Sequence, residues 1–199
     1  MDHFITVYLK LFFMMTPFFV LSVFLIMGKN LIRAEKKRII LKLGVAVIVS
    51  SLVFLVFGQY IFSLFSITLD AFKVGAGTVL FLSALEMIKG DSTMPDANSK
   101  KGGDFAIVPL AIPITVGPGM IGILMVMGAE LKTIPDFLMI GLSLVAAVIS
   151  LMAVLLFSNK IQRLLGQEGL DILPKITGLF VSAIGAQIVF SGINGFMAG

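Results

Sequence analysis

Long apolar runs, separated by short polar stretches, follow one another along this chain. A helix needs about 20 predominantly apolar residues to cross the hydrocarbon of a bilayer. Six segments meet that requirement: 4–28, 43–65, 67–88, 105–128, 137–158 and 172–197. The pattern predicts an all-α integral membrane protein, one transmembrane domain over 1–199 with six transmembrane helices. The connections read as short and polar, and none is large enough to fold as a separate soluble domain.

Basic residues set an orientation on those spans, because cytoplasmic connections are enriched in Lys and Arg. The first connection holds Lys29, Arg33, Lys36, Lys37, Arg38 and Lys42. The third holds Lys89, Lys100 and Lys101, and the fifth Lys160, Arg163 and Lys175. The second and fourth have only Lys73 and Lys132 nearby. The rich connections all fall on one side, which predicts N- and C-termini outside. Tyr8 and Tyr60 are then expected near the outer interface, where an amphipathic ring is favoured. The run "RAEKKR" reads as a topology determinant with attraction to anionic headgroups rather than a nucleic-acid patch. The start "MDHFITVYLK" lacks a basic leader, and its apolar run is expected to be a retained helix.

Composition agrees: 58% hydrophobic and 13% charged, with a mean hydropathy of +1.09. Soluble domains average about 25% charged residues, so the implied solvent is lipid. The chain has no cysteine and one histidine, His3, which leaves no thiolate chemistry and no ligand set for a His/Cys metal site. No cofactor or nucleic-acid partner is expected. The expected partners are the bilayer and a small-molecule solute, with homo-oligomerisation left open.

The chain divides in the middle. The polar segment "GDSTMPDANSKKGGD" separates a first half, 1–90, from a second, 105–199, with 91–104 as a cytoplasmic linker. The last span of each half can be overlaid, "KVGAGTVLFLSALEMIKG" on "KITGLFVSAIGAQIVFSG". Lys73 then falls on Lys175, Ala76 on Gly178, Ala84 on Ala186 and Gly90 on Gly192. Two related halves with three spans each must insert in opposite orientations. That predicts two inverted three-helix repeats, an arrangement that secondary transporters use to build a solute site near the midplane.

The first span of each half is interrupted. In "AIPITVGPGM", Pro113 and Pro118 lack the N–H that a helix needs and crowd the carbonyls four residues back. Gly117 and Gly119 can adopt the positive φ of a sharp bend. Residues 115–119 are therefore expected to be unwound or strongly kinked. Such backbone is tolerated at membrane depth only where protein buries it or a wet cavity hydrates it. The half-helix beginning there would aim free N–H groups and its positive dipole end at an anionic group. In the first half "MMTPFFVL" offers Thr16 and Pro17 at the equivalent place. The candidate substrate-binding residues are thus Thr16, Pro17, Phe18, Thr115, Gly117, Pro118 and Gly119. Thr16 and Thr115 would supply hydroxyls, and Phe18 and Phe19 would narrow the cavity.

These segments resemble a known family. "AIPITVGPGMI" is similar to the "AIP…GPG.I" signature of the MarC family, also described as small neutral amino acid transporters. "AFKVGAGTVLFLSALEMIKG" resembles that family's third span, and "RLLGQEGLDILPKITGLFVSAIGAQIVFSGI" its C-terminal span. The resemblance covers nearly the whole chain. It implies six spans, outward termini and the plasma membrane of a bacterium or archaeon. The first span departs from the family's Asn-Pro-x-Gly-x-x-Pro: Thr16, Phe19 and Ser22 stand where that pattern has Asn, Gly and Pro.

Polar groups inside the spans have two readings each. Glu86 could bind a proton or cation and couple it to transport, or pair with Lys89 one turn on. Gln187 could hydrogen-bond a substrate or tie helices together. Lys10, Lys73 and Lys175 are expected to snorkel. Gly75 and Gly77 lack the preceding strand of a nucleotide motif and read as small-residue packing. The leading expectation is a secondary transporter or exporter of a small polar solute such as a neutral amino acid. The alternative is a non-transporting assembly or regulatory subunit. Neither paired intramembrane carboxylates nor a Ser–His pair is present for an enzyme.

Overall fold

Helices account for the whole regular structure of the computed structural model among the described residues, which are 2–29, 31–90, 106–131 and 133–198. They are α1 (Asp2–Met14), α2 (Pro17–Met27), α3 (Arg33–Phe65), α4 (Leu69–Lys89), a π-helix (Ala106–Thr115), α5 (Pro118–Glu130), α6 (Ile134–Leu156) and α7 (Ser158–Ala198). Among the described residues five stretches are long and apolar enough to cross a membrane: His3–Met27 (α1 with α2), Arg33–Phe57, Leu69–Lys89, Ile134–Leu156 and Glu168–Met197. The fourth expected span is covered by the π-helix and the shorter apolar α5.

The basic connections differ from their expectation. Residues 33–42, read as a loop, form the first turns of α3, and 158–165 form the start of α7. Lys, Arg and Glu are good helix formers, so charge ends the membrane segment without ending the helix. Glu35 accepts a hydrogen bond from the Ile32 N–H (3.0 Å), and Lys36 Nζ donates to Asn159 Oδ1 (3.4 Å). Ile39 and Ile40 are already buried. α7 is kinked at Gly166, whose φ of +65° glycine alone adopts freely. The linker 91–104, with Lys100 and Lys101, lies outside the described residues, as does Lys132.

Side-chain exposure fits a lipid solvent. Val45, Val49, Val53 and Val56 form one uncovered stripe along α3, an arrangement that water would penalise and a bilayer does not. Fully buried Leu11, Met15, Phe24, Leu110, Met120 and Leu144 form the core.

α4 and α7 pack antiparallel along their length. A Cβ on Gly77 would lie 2.8 Å from the Gly185 carbonyl, one on Gly178 2.9 Å from that of Ala84, and one on Gly192 2.7 Å from that of Asp70. These glycines let two backbones touch, the usual basis of helix association in lipid. Gly75 meets nothing within 4 Å, so only Gly77 of that pair has the packing role. Elsewhere α1 packs on α6 and the π-helix on α3, while α2 packs on α7 and α5 on α4.

Candidate functional site

The first break is a single left-handed residue. α1 ends at Met14, and Thr16 sits at φ 48°, ψ 56° before Pro17 opens α2. Proline is pre-formed for the first helical position and loses nothing there. A β-branched residue in the left-handed region is strained, so the fold forces this turn. The Thr16 carbonyl accepts from the Val20 N–H at 3.0 Å. No side chain caps the N-terminus of α2, and the N–H groups of Phe18 and Phe19 have no partner in their own helix.

The second break is built differently. Pro109 and Pro113 stand in the π-helix. The π ladder closes with the Val116 N–H donating to the Ala111 carbonyl (2.8 Å) and Thr115 Oγ1 donating to that of Leu110 (2.8 Å). Gly117 is extended at φ −82°, ψ 175°, and Pro118 opens α5, again with no side-chain cap. The expected bend is present, but neither glycine uses positive φ. Gly117 is extended and Gly119 helical, because the π turn has already redirected the chain. Gly119 instead permits close approach: a Cβ there would lie 2.5 Å from Leu80 Cδ1 and 3.1 Å from Leu80 Cα.

Both breaks face one cavity of about 240 Å³. Thr16 comes from the first, Gly117, Pro118 and Gly119 from the second, and Ser83 and Glu86 from α4 between them. Among the described residues no ion pair within 4 Å joins Glu86 to Lys89; the exposed Glu86 lines the cavity with the breaks, whereas Lys89 lines a neighbouring cavity at the C-terminal end of α4, the inner end in the expected orientation. The remaining candidates lie outside this cavity. Pro17 is buried, Phe18 is half-buried against the core, and Thr115 is buried with its hydroxyl donated to Leu110. Gln187 lines a separate cavity at the end of the bundle where α1 begins, the outer end in the expected orientation.

That outer cavity, about 490 Å³, lies where α1 and α4 begin and α5 ends. Lys73 does not simply snorkel. Its Nζ is 2.7 Å from Glu130 Oε1 and 3.9 Å from Asp70 Oδ1. At the opposite end of α4 the inner cavity is lined by Lys89, Asp171 and Lys175, and it shares Phe19 and Met87 with the central one. Tyr8 hydroxyl and Ser150 hydroxyl lie 2.9 Å apart, tying α1 to α6, while Tyr60 is exposed. Sequence reasoning missed Ser83 and Glu130. Ser83 carried a signal, one turn before Glu86 on the face shared by Leu80 and Met87. Glu130 carried a weaker one: an acid in a helix's last turn opposes the dipole and asks for a cation.

The family model for MarC family integral membrane proteins matches residues 1–197. Among curated proteins, a UPF0056 membrane protein of Methanocaldococcus jannaschii is 28% identical over 98% of both chains. A second from that organism is 33% identical over 82% of this chain and 74% of its own. The UPF0056 membrane protein YvbG of Bacillus subtilis is 29% identical over 95% of this chain and 93% of its own. No solved structure matches the chain.

Proposed function

The chain belongs to the MarC family of integral membrane proteins, and from that premise we propose that it is a secondary transporter, not an enzyme, of a small polar solute such as a neutral amino acid. The observation that carries the proposal is the convergence of both helix breaks on one cavity with Glu86. Two uncapped half-helix N-termini supply N–H groups and positive dipole ends for a carboxylate. The Glu86 carboxylate offers a counter-charge for an ammonium group or a binding place for a coupling proton. Broken backbone in lipid needs this kind of polar surrounding.

The architecture in this proposal is two inverted three-helix repeats and six spans. The first repeat runs to residue 90 and comprises α1 with α2, α3 and α4; the second comprises the π-helix with α5, α6 and α7. Its support is a partial match in packing: α1 lies on α6 as the π-helix on α3, and α2 on α7 as α5 on α4, whereas the close α3–α5 packing has only a slight counterpart in α2–α6. The antiparallel α4–α7 contact fits the same pseudo-two-fold. The basic ends of α3 and α7 face the cytoplasm in this arrangement, and both termini face outward from the plasma membrane.

Counterflow in proteoliposomes with radiolabelled glycine, alanine, serine and threonine tests the function. Saturable exchange of at least one solute, abolished in Gly119→Val, is the expected result. No exchange of any solute by protein that elutes as a folded species would sink the proposal and favour the assembly-subunit reading. A C-terminal reporter fusion active only in the cytoplasm would overturn the orientation.

A further inference from the structure

The start of α7, residues 158–165, forms a limb of its own, set off from the following span by the bend at Gly166. At helical spacing Ile161, Leu164 and Leu165 share one side of this limb, and Asn159, Gln162 and Arg163 the other. Ile161 packs against the core, whereas Leu164 is 85% exposed, and Leu165 and the preceding Phe157 are exposed as well.

Both ends of the limb stand at one membrane boundary. It follows directly on α6, whose last residue, Leu156, also ends a span, and there Asn159 Oδ1 accepts from Lys36 Nζ at 3.4 Å. Beyond the bend, Ser22 Oγ donates to the Leu170 carbonyl at 3.4 Å. α2 runs toward this boundary and ends at Met27, five residues past Ser22, which is about 7 Å of helical rise. α7 runs away from it, and Gly166 precedes Leu170 by four residues, about 6 Å. The bend is therefore level with the end of α2. A helix about 12 Å long with both ends at one level lies along the membrane surface.

The charge on this limb suits that position. No acid lies within 158–165, while Lys160 and Arg163 are both exposed, and Lys160 Nζ stands 5.5 Å from the centre of the Phe157 ring. The acids that follow, Glu168 and Asp171, lie beyond the bend. The start of α3, which meets the limb through Lys36, carries Arg33, Lys36, Lys37 and Arg38 against Glu35. The balance remains positive after these acids are counted.

We infer that 158–165 is an interfacial helix. Phe157, Leu164 and Leu165 enter the acyl chains of the leaflet at this end, and Lys160 and Arg163 hold the phosphates of anionic lipids there. Amphipathic helices of this kind bury their apolar face about 5–10 Å into the headgroup–acyl boundary, and basic side chains beside them attract anionic headgroups. The inference rests neither on transport nor on which face is cytoplasmic.

The chain contains no tryptophan, so Leu164→Trp, Leu165→Trp and Asn159→Trp each give the full-length protein a single fluorophore. In phosphatidylcholine nanodiscs, bromine carried high on the acyl chains is expected to quench Leu164→Trp and Leu165→Trp well above Asn159→Trp, and acrylamide in the water to do the reverse. With a minor fraction of brominated phosphatidylglycerol, quenching of Leu164→Trp should exceed that by the same fraction of brominated phosphatidylcholine. The excess should correspond to about fivefold local enrichment, the scale of one basic residue at an anionic surface. Adding Lys160→Gln and Arg163→Gln should bring the two lipids to equality. Access of acrylamide to Leu164→Trp and Leu165→Trp as free as to Asn159→Trp would overturn the inference. Shielding from acrylamide without bromolipid quenching would overturn it too, because protein (a second copy or another segment) would then cover the limb. Equal quenching by the two lipids before the basic residues are removed, or an excess that survives their removal, would also overturn it.

Discussion

Replacing Gly119 tests whether the second break is held in place by contact with α4. A Cβ there would meet Leu80 Cδ1 at 2.5 Å and Leu80 Cα and Cβ at 3.1 Å. Carbon atoms prefer about 3.5–4.0 Å, so the methyl must move by about 1 Å and the backbones by a few tenths. Leu80 is 4% exposed and has little room. For Gly119→Ala, rotation of the Leu80 side chain relieves the worst contact, and a loss of about 1–2 kcal/mol is expected from overpacking. Gly119→Val places two further carbons in the same space, and about 3 kcal/mol is expected. Leu80→Ala alone empties a buried site, at about 2–5 kcal/mol. The informative measurement is the double-mutant cycle, read by thermal unfolding in detergent. If the clash is with Leu80, Gly119→Val should cost less in the Leu80→Ala background, by a coupling of about 1–2 kcal/mol. Strictly additive losses would refute the contact argument. A Gly119→Val protein as stable as the parent would refute the geometry outright.

Three other changes probe the same architecture. Thr16→Asn keeps a polar side chain while tolerating the left-handed conformation, so melting should show a gain of about 1 kcal/mol; a loss would mean that the threonine methyl packs favourably there. Lys73→Met and Glu130→Gln should each destabilise by about 1 kcal/mol, since the Glu130 side chain is 51% exposed. A charge-reversed pair that recovers none of that loss would count against the ion pair. Phe19→Ala removes the aromatic ring shared by the central and inner cavities and should raise counterflow of larger amino acids relative to alanine; an unchanged ratio would remove Phe19 from the path.

The breaks were legible because proline's chemistry does not depend on context. A missing N–H and a fixed φ act the same way in any helix. Glycine's signal is weaker, since the residue serves either positive φ or close approach. At 117 and 119 the sequence suggests the first, whereas Gly119 serves the second. The start of α3 was misplaced because hydropathy locates the lipid boundary, and charged helix formers carry the helix past it. The Lys73–Glu130 pair joins residues far apart in the chain, and neither carries a local mark of the other. Glu86 was legible as an intramembrane acid. Its direction was not, because helical spacing alone allowed Lys89 as a partner.

The two halves produce one geometric result by different means, and that difference locates the strain. In the second half the redirection falls in a ten-residue π-helix, and the chain leaves it through an extended glycine without positive φ. The redirection is spread over several residues. In the first half, Pro17 stands alone, α1 remains an ordinary α-helix to Met14, and the whole turn falls on Thr16. A single left-handed threonine carries what a π-helix carries in the other half. Its conformation is therefore imposed by the fold, in a stretch where Leu11, Met15 and Val20 are fully buried. Residues that order the first break also line the core. Loosening that packing should release Thr16 from the central cavity before it disturbs the second break.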